Sequence, residues 1–253
     1  MKLIPFFEDF VVKDDKKLHF DPNAKAAAIS TKFGKGKNMS PYVSSSGTDN
    51  VKILSVYARV KGSTETPELN KILTSLKGKG PYELDGGSMD AFISRTAVYA
   101  ASLLKGQNID LAITIESKSS LCKTLLTKLK EHFSFDVKSI ANAVQKNPNT
   151  EEIELKDESG KLKVDGKIKS YFDGVVAQAK KNEYFKISDI GLSWLRQYVQ
   201  NWLKIPDDIK AAIKGKDVLI IDDYMTTGVT MKAAIKLVKL ADAKSITAVT
   251  ILK

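Results

Sequence analysis

Val218-Leu219-Ile220-Ile221-Asp222-Asp223-Tyr224-Met225-Thr226-Thr227-Gly228-Val229-Thr230 is the stretch from which the fold can be read. Four consecutive apolar residues, Val218 to Ile221, have the pattern of a strand buried on both faces, as in a parallel sheet. Asp222 and Asp223 fall at its C-terminal end, the edge at which open α/β sheets hold ligands. Thr226, Thr227 and Gly228 then form a tight turn, in which Gly228 is free to take backbone angles that other residues resist. A helix is predicted from about Thr230, with Ala233, Ala234, Leu237, Val238 and Leu240 as its apolar stripe. Backbone N–H groups at such a helix start, with the threonine hydroxyls, make a phosphate cradle. The two carboxylates just before it can accept hydrogen bonds from sugar hydroxyls and attract a ligand-borne metal. Paired acids at a buried strand end are costly without a functional partner, which disfavours a plain strand-to-helix turn.

This order of residues resembles the signature of the type I phosphoribosyltransferases, enzymes that use phosphoribosyl pyrophosphate (PRPP). Their pattern is four apolar residues, two acids, two variable positions, Thr-Thr-Gly, one variable position and Thr, and residues 218–230 match every constrained position. The resemblance implies that Asp222 and Asp223 hold the ribose hydroxyls and stabilise the transition state. It assigns the 5′-phosphate to Thr226, Thr227, Gly228 and Thr230. It also implies Mg2+ as cofactor, coordinated largely by ligand and water, with Asp222 or Asp223 the candidate protein contacts.

The chain has 253 residues, enough for one large domain or a core with an appendage. Its apolar runs are shorter than a membrane span, no signal-peptide pattern opens it, and Cys122 is its single cysteine, so a cytoplasmic protein is expected. Only His19 and His132 are histidines, which disfavours a zinc site or a histidine-based triad. The net charge of +10 rests on 37 lysines and three arginines, Arg59, Arg95 and Arg196. Scarce arginine argues against reading of guanine edges. The lysines could attract PRPP, nucleotides or a nucleic-acid backbone, but a solvated lysine-rich surface is the preferred reading.

Ser30 to Asn50 reads as an exposed loop, and its Gly34-Lys35-Gly36-Lys37 lacks Walker spacing. Val51 to Val60 is strand-like, Pro67 to Leu76 suggests a short helix, and Gly78, Gly80, Pro81, Gly86 and Gly87 mark a loop. Ser88 is expected to cap a helix ending near Gly106. A strand at 109–115, a helix at 121–129, a second strand near 133–140 and a last one at 246–252 complete the alternation. The fold class is therefore α/β, a parallel sheet flanked by helices with a Rossmann-like core and an accessory hood. Residues 1–87 are expected to be an accessory region that could belong to the hood, and 88–253 the core, with an insertion at about 141–205. In that insertion, Ile153 to Val164 reads as a β-hairpin around Ser159-Gly160. Helices are expected at 168–181 and 187–203. The resemblance makes the hairpin a candidate for the mobile flap that closes over PRPP, with a structural hairpin the equal alternative.

Ser117-Lys118-Ser119-Ser120 follows a buried strand and precedes a helix, so its N–H groups, hydroxyls and ammonium converge on the ligand edge. The resemblance assigns pyrophosphate to Ser117, Lys118 and Ser119, with Glu116 orienting the loop or meeting metal-bound water. Arg196 and Asn201 loosely resemble the approach to the signature in competence-associated phosphoribosyltransferase-like proteins; a surface ion pair is the equal reading for Arg196. Trp194 and Trp202, eight apart, suit core packing over base stacking, and packing is the default for Tyr224.

The implied reaction is transfer of a phosphoribosyl group from PRPP to a nitrogen acceptor, a nucleobase or related compound, with release of pyrophosphate. Purine-salvage relatives use base contacts beyond the strand after the signature helix, where this sequence reaches Lys253. The acceptor site is accordingly expected in the N-terminal region, the insertion, or both. The alternative is a catalytically silent PRPP-binding protein that regulates or binds nucleic acid. A membrane partner is not expected, and the resemblance leaves room for a homodimer. A PRPP-forming kinase fits poorly, because no ATP-binding segment or internal duplication is found.

Overall fold

The computed structural model describes residues 4–5, 10–12, 17–20, 51–58, 71, 74–84, 86–117, 119–133, 137–157, 160, 162, 164–182, 184–225 and 227–252. The loop expected at 30–50, with its Gly34-Lys35-Gly36-Lys37, lies outside them, as do Lys118 and Thr226.

The signature strand β11 (Asp217–Tyr224) runs through the middle of a seven-stranded sheet. Its neighbours are β6 (Leu111–Ile115) and β12 (Ser245–Leu252), and beyond β12 come β4 (Lys52–Ala58) and β1 (Ile4–Pro5). On the other side β6 pairs with β7 (Lys138–Lys146), which carries the edge strand β10 (Leu203–Lys204). All pairings are parallel except β7 with β10. A small sheet joins β2 (Phe10–Val12), β3 (Lys17–Phe20) and β5 (Glu83–Leu84). The sheet does not divide at residue 88: β4 and β1, from the first 87 residues, extend it beyond β12.

Alternation along β11 explains its unbroken apolar run. Leu219 and Ile221 enter one core with Phe92, Ile93 and Ala97 of α1 (Gly86–Leu103) and Leu125 and Leu129 of α2 (Leu121–Lys130). Val218 and Ile220 enter a second core with Ala234 and Val238 of α5 (Val229–Leu240). A strand covered on both faces needs apolar residues at every position, and this is what 218–221 supply. The second core also takes Phe172 and Ala179 of α3 (Gly166–Lys181), together with Phe185, Leu195 and Trp202. The insertion thus shares a core with the α5 face of the sheet. The short α4 (Asp207–Ile213) leads from it into β11.

Several sequence expectations require correction. Gly86 and Gly87 belong to α1, and Ser88 is inside that helix rather than its cap; its hydroxyl accepts the Phe20 N–H at 2.9 Å and so ties β3 to α1. The second core strand is β7 at 138–146, later than 133–140, and it carries a bulge. Asn142 sits there at φ 55°, tolerable for asparagine, and its N–H donates to Thr114 Oγ1 at 2.7 Å. The alternating stretch at 153–164 does not pair with itself among the described residues. Its first arm, β8 (Glu154–Leu155), pairs antiparallel with β9 (Val199–Gln200), although Gly160 does make the expected turn with Asp157.

Nor is 187–203 a helix. It forms 3-10 turns at Ile187–Asp189 and Leu195–Tyr198, then β9 and β10. The spacing of Leu195, Val199 and Trp202 buries all three without an α-helix, so tertiary packing overrides helical propensity. Arg196 clasps this segment: its Nε donates to Ile190 O at 2.8 Å and a terminal nitrogen to Ser188 O at 3.3 Å. It is therefore a backbone clasp rather than a surface ion pair. Arg196→Ala is expected to cost about 1–2 kcal/mol in a denaturant titration, because both carbonyls lose a charged donor.

Candidate functional site

Parallel register brings those sequence-predicted residues that the structure describes to one edge of the sheet. Ile221 of β11 stands beside Thr114 of β6, so the carboxylates that end β11 and the loop that follows β6 emerge side by side. Asp222 and Asp223 are both buried, and the Asp223 N–H donates to Asp222 Oδ1 at 2.8 Å. Burial pushes the Asp222 carboxyl up to about 7, and the charge of Asp223 pushes in the same direction. The Asp223 N–H and Lys77 act against that rise.

Lys77 is the residue that sequence reading missed. Its Nζ lies 2.8 Å from Asp223 Oδ2, which gives the pair a counter-ion from the N-terminal part of the chain. The lysine is held out by a helix end of defined geometry. Lys79 N–H donates to Thr74 O and Gly78 N–H to Ser75 O, with Gly78 at φ 70°, the bonds of a Schellman cap. A Cβ at Gly80 would lie 2.1 Å from Ser75 Oγ and 2.3 Å from its backbone nitrogen, so the turn is closed tightly on itself. Gly78 is a legible helix-stop signal in the sequence, but nothing local marks where Lys77 points. Lys77→Met leaves Asp223 short of its ammonium partner. The expected cost is about 1–2 kcal/mol, less than for a fully buried pair because Lys77 is partly exposed, and thermal melting checks it.

After β11 the chain turns at Met225, whose N–H is held by Leu252 O at 2.9 Å. Gly228 adopts φ 75° and ψ 4°, the left-handed geometry expected for it, and α5 begins at the next residue. Its N-cap position is Gly228, which has no side chain to cap with, and among the described residues the first-turn amides have no side-chain acceptor. Thr227 is exposed and Thr230 half-buried beside these amides. A helix start of this kind suits an anion.

In the neighbouring loop, Ser119 N–H donates to Ser117 Oγ and Leu121 N–H to Ser119 Oγ, each at 3.2 Å. Both hydroxyls accept from the backbone and keep their own protons for a ligand. Glu116 orients the loop: its carboxylate accepts the Lys146 N–H at 2.7 Å and its N–H donates to Val144 O at 2.7 Å. Cys122, at the start of α2, is buried, and burial with the charges of Asp223 and Asp222 raises its thiol well above the usual range. Burial and these charges disfavour its thiolate, the form that would act as a nucleophile.

The hard oxygens of Asp222 and Asp223 fit a Mg2+ that arrives with its ligand. Among the described residues no group of three or more His, Cys, Asp or Glu could hold a metal ion. Arg196 and Asn201 are not drawn into this edge: Asn201, at φ 62°, donates to Glu152 O and Glu154 Oε1, both at 3.2 Å. Trp202 is core, whereas Trp194 is 47% exposed, contrary to the packing role expected for it. Tyr224 packs partly buried on the first core. Among the described residues no helix is long and apolar enough to cross a membrane.

No curated protein matches the chain. Solved structures with a similar arrangement include a hypoxanthine phosphoribosyltransferase from Staphylococcus aureus, at 16% identity and TM-score 0.35 over 64% of this chain and 62% of that one. A purine phosphoribosyltransferase from Pyrococcus horikoshii matches at 17% identity and TM-score 0.36, over 63% of this chain and 72% of that one. The glutamine PRPP amidotransferase of B. subtilis matches at 11% identity and TM-score 0.40, over 70% of this chain and 30% of that one. The match therefore spans less than two thirds of the S. aureus enzyme. The phosphoribosyl transferase domain model matches residues 100–253, more than half of the chain and all of the site edge from β6 to β12. The chain belongs to the phosphoribosyl transferase domain family.

Proposed function

We propose that this protein binds PRPP at the C-terminal edge of β6 and β11 and transfers its phosphoribosyl group to a nitrogen acceptor. The observation that carries the reading is the buried Asp222–Asp223 pair beside an α5 start at which Gly228 is the N-cap and no described side chain accepts from the first-turn amides. Asp222 and Asp223 accept the ribose hydroxyls. Thr226, Thr227, Gly228 and Thr230 hold the 5′-phosphate, and Ser117, Lys118 and Ser119 receive the pyrophosphate. The acceptor nitrogen forms its bond to the anomeric carbon as the bond from that carbon to the pyrophosphate oxygen breaks. Positive charge gathers on the ribose ring in between, and the fixed carboxylates stabilise it more than they stabilise the ground state. Mg2+ bound with the donor supplies charge neutralisation to the leaving group.

The test is pyrophosphate release from PRPP in the presence of Mg2+, screened over nucleobases, small amines and single-stranded oligonucleotides. Release stimulated by one class of acceptor supports transfer and names the acceptor. PRPP binding with no release across the screen would leave the silent regulatory alternative in its place. In that case, oligonucleotide binding that weakens steeply with salt is the accompanying expectation.

A further inference from the structure

A groove of about 600 Å3 opens at the turn assigned to the 5′-phosphate and runs along the outer face of α5. On α5, Val229, Lys232, Ala233, Lys236, Leu237 and Leu240 line it, the stripe that helical periodicity places on one face. Thr227 stands at its head. The opposite wall comes from the insertion and includes Trp194, Gln197 and Asn201. We propose that this groove receives a nucleotide joined through the ligand's 5′-phosphate, so that the site takes a 5′-pyrophosphate-linked ribosyl group as well as a terminal phosphate. The proposal rests on the PRPP-site reading and extends it beyond the phosphate.

Lys232 lies one helical turn beyond Gly228, about 5–6 Å along the axis, and helical side chains lean back toward the N-terminus. Its ammonium is thereby offered to a second phosphate attached to the one in the cradle. Lys232 has no hydrogen-bond or ion-pair partner among the described residues, whereas Lys236 is engaged with Gln200 Oε1 at 2.8 Å. Further along, Trp194 is set edge-on to Tyr198, with ring centroids 6.3 Å apart, and leaves nearly half its surface open. An open indole offers a stacking plane. Beside it the amide nitrogens of Gln197 and Asn201 are engaged, donating to Trp194 O at 3.1 Å and to Glu152 O and Glu154 Oε1 at 3.2 Å, so it is their side-chain oxygens that can accept from a base edge. The groove floor contains Trp202, whose buried Nε1–H has no hydrogen-bond partner among the described residues. Its volume is in the range of small-ligand pockets.

ADP-ribose is ribose 5-phosphate with an AMP attached at that phosphate, so the two ligands isolate the groove. Isothermal titration of the full chain should find ADP-ribose bound about tenfold or more tightly than ribose 5-phosphate. Trp194→Ala and Lys232→Met, both at exposed positions, should each remove most of that excess and leave ribose 5-phosphate affinity within about twofold. Equal binding of the two ligands by the wild type, or an excess untouched by both substitutions, would overturn the proposal. Failure of the wild type to bind PRPP would instead overturn the underlying site assignment.

Discussion

Asp222→Asn with Asp223→Asn is expected to abolish PRPP turnover and to leave a folded protein. The amide pair keeps the shape of the strand end but carries no charge toward the ribose ring. Loss of such a stabilising group costs on the order of 100-fold or more in rate, and in the proposed assignment two act on one transition state. Stability moves the other way. The Asp222 carboxyl is held near 7 in the folded state, against an ordinary value of 3.8. Its folded form favours the proton, so its contribution to stability is fully present below pH 3.8 and is lost as pH rises through about 7. The wild type should therefore melt lower at pH 8 than this group alone would allow at pH 4, by an amount worth a few kcal/mol. In the double variant that part of the pH dependence disappears, and its melting temperature at pH 8 equals or exceeds that of the wild type. Normal PRPP consumption by the variant would refute the catalytic assignment.

Gly228→Val is expected to weaken the proposed PRPP binding by about tenfold to a hundredfold, whereas Gly228→Asn should retain most of it. Among the described residues a Cβ at Gly228 would meet only Met225, at 3.6 Å, an ordinary van der Waals contact. The obstacle is φ 75°, which costs an ordinary L-residue about 1–2 kcal/mol and a β-branched one more. Valine relieves that cost by rotating the peptide at the head of α5, which turns the first amides away from the phosphate. Asparagine tolerates the left-handed region and keeps them aimed. Equal losses for the two variants, measured by titration with PRPP, would mean that the turn geometry is not what holds the phosphate.

What was legible in the sequence follows from locality. The run Val218 to Ile221, the acids behind it and Gly228 before a helix are all neighbours in sequence, and each has a local physical signature that the fold preserves. The Ser117 loop was legible for the same reason, since strand and helix flank it directly. Lys77 was not, because its partner is 146 residues away and 37 lysines offer no contrast. The segment 187–203 misled for a different reason: Leu195, Val199 and Trp202 have helical spacing, yet a 3-10 turn followed by short strands buries the same side chains. The alternating arm at 154–155 found its partner at 199–200 rather than across its own turn, a pairing that alternation alone does not specify.

The most direct test of the central claim is equilibrium binding of PRPP, with Mg2+, to the wild type and to the Asp222→Asn, Asp223→Asn variant, independent of any acceptor. Saturable binding by the wild type that the variant loses is the predicted result. No saturable binding by the wild type, or equal binding by both, would contradict it.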